Sequence, residues 1–235
     1  MPSMAGELWV TDLGTVEYHE AQAIQERVRE LRQAGAIADT LLLVEHPPVY
    51  TRGRRTGPGE LPMGTDWCRA QGIDVVDADR GGKVTYHGPG QLVGYPIMRA
   101  DDVVGFVRTM EAALVAALAD EGIEARTRPG DGPQFTGVWA GERKIASIGI
   151  HVSRGVTTHG FAVNVQNDLQ PFEWIVPCGL QDVRMTSVLR ETARTGDVMP
   201  CFRRRAAYRF AQGHGLRQRL VSPARLLTPS PVPTG

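Results

Sequence analysis

Residues 135–165 read FTGVWAGERKIASIGIHVSRGVTTHGFAVNV. Apolar and β-branched residues fill three runs, Phe135 to Ala140, Lys144 to Val152 and Val156 to Val165. Gly141-Glu142 and Arg154-Gly155 separate them. Short runs rich in β-formers and joined by glycine-bearing turns predict an antiparallel meander. A meander of this length is the nucleus of a sheet, and the remaining segments are read by how they extend or cover it.

Upstream, Leu8 to Leu13, Thr40 to Glu45, Ile73 to Asp77 and Gln91 to Met98 have the length and composition of strands. His19 to Ala34 places Ala21, Ile24, Val28 and Leu31 on one face of a helix that Gly35 stops, and Val103 to Ala119 reads as a largely buried helix. Residues 51 to 66, rich in Arg, Gly and Pro, read as a loop, as do Arg128 to Pro133. From about Val183 the pattern turns helical, and the Pro/Ser-rich end from Ser222 to Gly235 reads as a disordered tail. The expectation is one α+β (α/β) domain over residues 1–221, with a largely antiparallel or mixed central sheet flanked by helices, followed by a tail over 222–235.

The bulk composition narrows the function. With 42% hydrophobic residues the chain can build a real core, and no apolar run approaches the length that spans a bilayer. The first residues carry no secretory pattern. Basic and acidic residues balance at 26 each, which argues against a nucleic-acid binder. Three cysteines, Cys68, Cys178 and Cys201, lie far apart without metal-ligand or disulfide-framework spacing, which fits a reducing, cytoplasmic setting. Only Lys83 and Lys144 among the basic residues are lysine. An arginine supplies a fixed charge equally well, so a retained lysine fits a place where a compact amine that can lose its proton is needed, with a lysine that merely escaped the arginine bias as the plain alternative.

The stretch Arg80-Gly81-Gly82-Lys83-Val84-Thr85-Tyr86-His87-Gly88-Pro89-Gly90-Gln91 packs four glycines and a proline around a Thr, a Tyr and a His. Glycine allows backbone to approach a ligand or to turn, so a ligand-binding loop and a pair of plain hairpin turns both fit. It is neither GxGxxG nor a phosphate-binding loop with GK[ST].

This stretch resembles the signature of the lipoyl(octanoyl) transferases, relatives of the lipoate and biotin protein ligases. Four further segments resemble that family in order: Glu45 to Thr51, Lys144 to Gly149, His159 to Asn164 and Ile175 to Gly179. The resemblance covers roughly residues 8 to 195 and implies a biotin/lipoate ligase-like fold. It implies an acyltransferase that takes an octanoyl group from octanoyl-acyl carrier protein onto a cysteine as a thioester. The group then passes to a lysine amine of a lipoyl domain. The implied acceptors are the lipoyl domains of 2-oxoacid dehydrogenase acyltransferase subunits and the glycine cleavage H protein. It implies no cofactor, no metal, no nucleic acid and no membrane partner. By motif position Cys178 and Lys144 are the catalytic pair. The substrate segments are Arg80, Gly81, Gly82, Lys83, Val84, Thr85, Tyr86 and His87, then Ser147, Ile148 and Gly149, then Gly160, Phe161 and Ala162.

The residue types suit those roles. Only a thiolate attacks, so Cys178 needs a neighbouring cation, and a lysine can also carry the proton. Small residues such as Gly149, Gly160 and Ala162 leave room for an acyl chain whose methylenes each contribute about 0.8 kcal/mol on burial. The Ser147-Ile148-Gly149 backbone is a candidate source of oxyanion donors. Arg52, Arg54 and Arg55 form a candidate docking patch for an acidic carrier protein, with a solvated loop face as the plain alternative. Cys68 and Cys201 are expected to be non-catalytic, and His87 is equally compatible with a place near the thiol or between strands. The rival readings are an ATP-dependent ligase on the same fold, a non-catalytic acyl-binding relative, and a metal hydrolase using His87, His151 and His159.

Overall fold

The computed structural model describes residues 6–176 and 183–227. Its frame is a seven-stranded sheet in the order β10-β1-β2-β6-β9-β8-β7. The strands are β1 (Glu7–Thr15), β2 (Asp39–Glu45), β6 (Gln91–Ile97), β7 (Gly137–Ala140), β8 (Arg143–Ser153), β9 (Val156–Asn164) and β10 (Arg217–Leu220). Helix α1 (Tyr18–Gln33) carries the chain between β1 and β2, which therefore run parallel, whereas β2, β6, β9, β8 and β7 pair antiparallel. The meander predicted from residues 135–165 is present, but its first strand starts at Gly137 because Pro133–Phe135 forms a 3-10 turn. The mixed sheet and flanking helices agree with the expected fold class.

Both faces of the sheet are covered, as its strands demand by being apolar on each side. Helices α3 (Val103–Ala119) and α5 (Met199–Gly213) pack on one face with Leu41, Leu43, Leu92, Phe161 and Val163. Helix α1 packs on the other with Leu42, Val44, Val93, Tyr95 and Ala162. Helix α3 has the bounds predicted, opened by the Asp102 side chain accepting the Gly105 N–H at 3.0 Å.

Three features depart from the sequence reading. A separate sheet, β4-β3-β5, is made of β3 (Val49–Arg52), β4 (Asp74–Asp77) and β5 (Thr85–His87), so part of the glycine-rich stretch is a strand. Its core joins Tyr50, Val75, Val84, Tyr86 and Phe172 to Cys68 of α2 (Thr65–Ala70). Beyond α4 (Val188–Thr192) and α5, the segment read as helical contains β10, which pairs parallel with β1 from Glu7↔Arg217 to Val10↔Leu220. The stretch read as a tail begins with a helical turn, α6 (Pro223–Leu227), that buries Leu226; residues 228–235 lie outside the described residues. Among the described residues no helix is long and apolar enough to cross a membrane.

Candidate active site

Strand β7 pairs with β8 only as far as Ser147, so from Ile148 onward the outer edge of β8 has no strand neighbour among the described residues. A cavity of about 710 Å³ wraps that edge. Its walls include Tyr18, Val93 and Tyr95 from one face of the sheet, and Val103, Val107 and Arg108 of α3 from the other. Ser147, Ile148, Gly149, Gly160, Phe161 and Ala162, two of the segments the resemblance implies for substrate, form its floor.

The glycine-rich stretch closes over this floor. Gly81 N–H donates to the Ile150 carbonyl at 3.0 Å, and a Cβ on Gly149 would lie 2.7 Å from the Gly81 oxygen. Only a residue without a side chain lets the two backbones meet this closely. The Ile150 main chain thus faces the open edge. With the strand's period of two, the Ile148 N–H faces it as well, while those of Ser147 and Gly149 point toward β9.

The same period divides the predicted segment over β5. Thr85 and His87 line the cavity, whereas Val84 and Tyr86 point into the core of the small sheet, where Tyr86 packs on Tyr50 and Phe172. Arg80 is buried, and its guanidinium donates to the Thr51 carbonyl at 2.6 Å and to the Thr51 hydroxyl at 2.7 Å. It serves as a wall residue anchored to β3. Lys83 forms an ion pair with Glu60 at 2.7 Å. Of the candidate docking arginines, Arg52 is tied to Asp77, Arg54 is exposed, and Arg55 is exposed and borders the cavity.

One end of the cavity is polar. His87 donates from Nδ1 to the Gln91 side-chain oxygen at 2.7 Å. Burial, then the neighbouring His46 and Arg80, holds His87 well below its ordinary pKa, so it is neutral. His46 is likewise lowered by burial; its Nδ1 donates to the Val16 carbonyl and its Nε2 accepts the Tyr95 hydroxyl, each at 2.7 Å. Burial pushes Tyr18 up to about 12. His159, at φ 57°, donates from Nε2 to Asp79 at 2.6 Å, and this hydrogen bond is the first cause that lowers Asp79 to about 2. Tyr18, Tyr95 and the role of His159 were missed by sequence reasoning; Tyr18 sat unremarked at the head of an amphipathic helix. Among the described residues no group of three His, Cys, Asp or Glu side chains is arranged to hold a metal ion.

Lys144 is the second residue of β8 and is almost fully buried, at 1% exposure. Its ammonium lies 5.4 Å from the Trp139 ring centroid, a cation–π distance. Gly137, at φ 133°, makes room for it: a Cβ there would stand 2.8 Å from Lys144 Cε and 2.3 Å from the Ala146 oxygen. The Gly137 N–H is accepted at 2.8 Å by Glu111, a fully buried carboxylate of α3 that also pairs with Arg108 at 2.6 Å. The Lys144 backbone is clamped to the chain beyond the site, donating to the Arg184 carbonyl and accepting from Thr186 N–H, each at 2.9 Å. Cys178 lies outside the described residues. Cys68 is buried under the small sheet and Cys201 is exposed on α5.

Residues 17–205 match the family described as the lipoyl protein ligase A/B catalytic domain. The chain is 49% identical over 195 residues to an octanoyltransferase of Mycobacterium leprae (strain Br4923), covering 79% of each chain. It is 52% identical over 172 residues to an octanoyltransferase of Solibacter usitatus (strain Ellin6076), covering 72% of this chain and 76% of that one. Among solved structures, lipoate-protein ligase A bound with ATP superposes with a TM-score of 0.70 at 18% identity, covering 95% of this chain and 93% of that one. LipL1 of P. falciparum in complex with lipoate gives 0.71 at 11%, covering 96% and 69%. At those identities the two structures speak to the fold alone.

Proposed function

The chain belongs to the lipoyl protein ligase A/B catalytic-domain family, and from that premise we propose that it is an acyltransferase that moves an octanoyl group from octanoyl-acyl carrier protein to a lysine of lipoyl domains through a thioester on Cys178. The octanoyl assignment follows from near 50% identity to octanoyltransferases over about four fifths of the chain. The observation that carries the mechanism is the buried Lys144 on β8, a strand that floors the cavity, held by the close-fitting Gly137 of β7.

In the first half-reaction the Cys178 thiolate attacks the donor's thioester carbonyl. The tetrahedral oxyanion suits the Ile148 N–H, the one of the three expected donors that faces the open edge of β8. The donor's thiolate leaves and takes the proton that Cys178 lost, with Lys144 as the carrier. In the second, the acceptor lysine amine attacks the Cys178 thioester, an amide forms, the Cys178 thiolate leaves, and Lys144 receives the amine's surplus proton. A buried amine beside an indole face is suited to this exchange because it sits out of bulk water. The acyl chain lies along the floor formed by Gly149, Gly160 and Ala162; the two glycines are required by close backbone rather than by the chain, since a Cβ would lie 2.7 Å from the Gly81 oxygen at 149 and 2.1 Å from the Gly94 oxygen at 160.

The test supplies a lipoyl domain with octanoyl-acyl carrier protein in the absence of ATP, and separately with free octanoate plus ATP. Octanoylation only in the first arm is the expected result. Octanoylation only in the second makes the protein a ligase and overturns the proposal.

A further inference from the structure

The cavity is larger than the acyl group it is proposed to hold. Eight carbons at about 30 Å³ each, roughly the share of one water molecule, fill about 240 Å³, a third of the 710 Å³ present. The surplus is not simply depth behind the acyl floor. The cavity passes around the unpaired edge of β8, and α1 and α3 lie on opposite faces of the sheet, so Val103, Val104, Val107 and Arg108 wall a second compartment.

That compartment has a chemistry of its own. Its lining is Val103, Val104, Val107 and Pro133, with Gln134 and Thr136 as hydrogen-bonding groups and Arg108, itself paired with Glu111, as the charged one. It opens outward at the start of α3, where Val104 is 68% exposed. It reaches inward to Thr136, the neighbour of the Gly137 that touches Lys144. A ligand fitting it is linear, bears amides and a branched apolar segment, and joins the acyl group near Lys144.

We propose that this compartment is the subsite for the pantetheine arm of the thioester donor, the acyl chain lying on the α1 side of β8 and the arm leaving along α3. The assignment rests on the transferase reading. An acceptor lysine is short and needs only the mouth, whereas an arm with two amides and a dimethyl branch fills a channel between valines and a glutamine.

The experiment compares two donors, octanoyl-pantetheine and octanoyl-N-acetylcysteamine, which has the same thioester on an arm cut after its first amide. Val107→Trp fills the compartment, and Val104→Asp alters its exposed lip at a position where folding is not at stake. In each variant the ratio of kcat/KM for the long donor over the short one falls about tenfold, a loss of about 1.4 kcal/mol of binding specific to the arm. An unchanged ratio in Val104→Asp and Val107→Trp overturns the assignment. So does a rise in KM for the lipoyl domain with the ratio unchanged, which gives the compartment to the acceptor. A wild-type enzyme acylated by octanoyl-acyl carrier protein but by neither free donor overturns the subsite; one acylated by none of the three overturns the transferase reading itself, and the subsite falls with it.

Discussion

Replacing Gly137 by alanine puts a Cβ where the structure has no room for one. The new atom would lie 2.3 Å from the Ala146 carbonyl oxygen and 2.8 Å from Lys144 Cε. The carbonyl belongs to the β7–β8 pairing and cannot rotate away, so either β7 moves or the lysine does. The backbone at φ 133° adds its own penalty for a residue with a side chain. Strain of this kind costs on the order of 1–3 kcal/mol, and overpacking a tight site about 1–3 more. At about 2–4 °C per kcal/mol for a domain of this size, Tm falls by roughly 4–24 °C. A displacement of Lys144 by about 1 Å lowers kcat on the order of 100-fold. Thermal unfolding gives the first quantity, and single-turnover transfer per folded molecule gives the second. Gly141→Ala is the control, because it sits at a turn with φ 57° and nothing within 4 Å. It carries backbone strain without a collision, so it loses some stability and keeps its turnover. Wild-type stability and turnover in Gly137→Ala, or an equal loss of turnover in Gly141→Ala, refutes the reasoning.

Three other outcomes follow from the same geometry. Glu111→Gln keeps an acceptor for the Gly137 N–H and retains most activity, whereas Glu111→Ala leaves that buried donor unpaired at about 1–3 kcal/mol; equal unfolding midpoints for the two variants would remove the hydrogen bond from the account. His46 and His87 are both held below the unfolded value of about 6.5, so the unfolded chain takes up protons that the folded one refuses. Stability is therefore fully present above pH 6.5 and declines as pH drops below it; denaturant midpoints measured from pH 7.5 to 5.5 check this, and His87→Asn flattens the decline. Lys144→Arg keeps the charge and removes the proton carrier, and activity falls by about 100-fold or more; retention of a tenth of the activity in folded protein would make Lys144 a fixed charge only.

Much of the frame was legible because it repeats locally. The turns at Gly141-Glu142 and Arg154-Gly155 announce the meander, and the apolar pattern of Val103–Ala119 gives α3 to the residue. Strand β10 was not legible. Arg217, Gln218, Arg219 and Leu220 are all exposed, so no alternation marks them; they are a strand through main-chain pairing with β1 and through the contacts of Arg217 and Arg219 with Glu7. The glycine-rich stretch reads in sequence as one continuous lining. Its strand pleat instead assigns Thr85 and His87 to the cavity and Val84 and Tyr86 to a second core, a division set by the pairing of β5 with β3. The α3 wall of the cavity had no local signature, since Val103, Val104 and Val107 read as part of a largely buried helix, and only the end of β7 leaves β8 open beside them.

The central claim is that the octanoyl group rests covalently on Cys178 between donor and acceptor. Intact-protein mass spectrometry after mixing the enzyme with octanoyl-acyl carrier protein, with neither ATP nor acceptor present, reads this directly. The expected result is a gain of one octanoyl group that is absent in Cys178→Ser and is discharged when a lipoyl domain is added. An enzyme that stays unmodified while the lipoyl domain is nonetheless octanoylated from the same donor would contradict it.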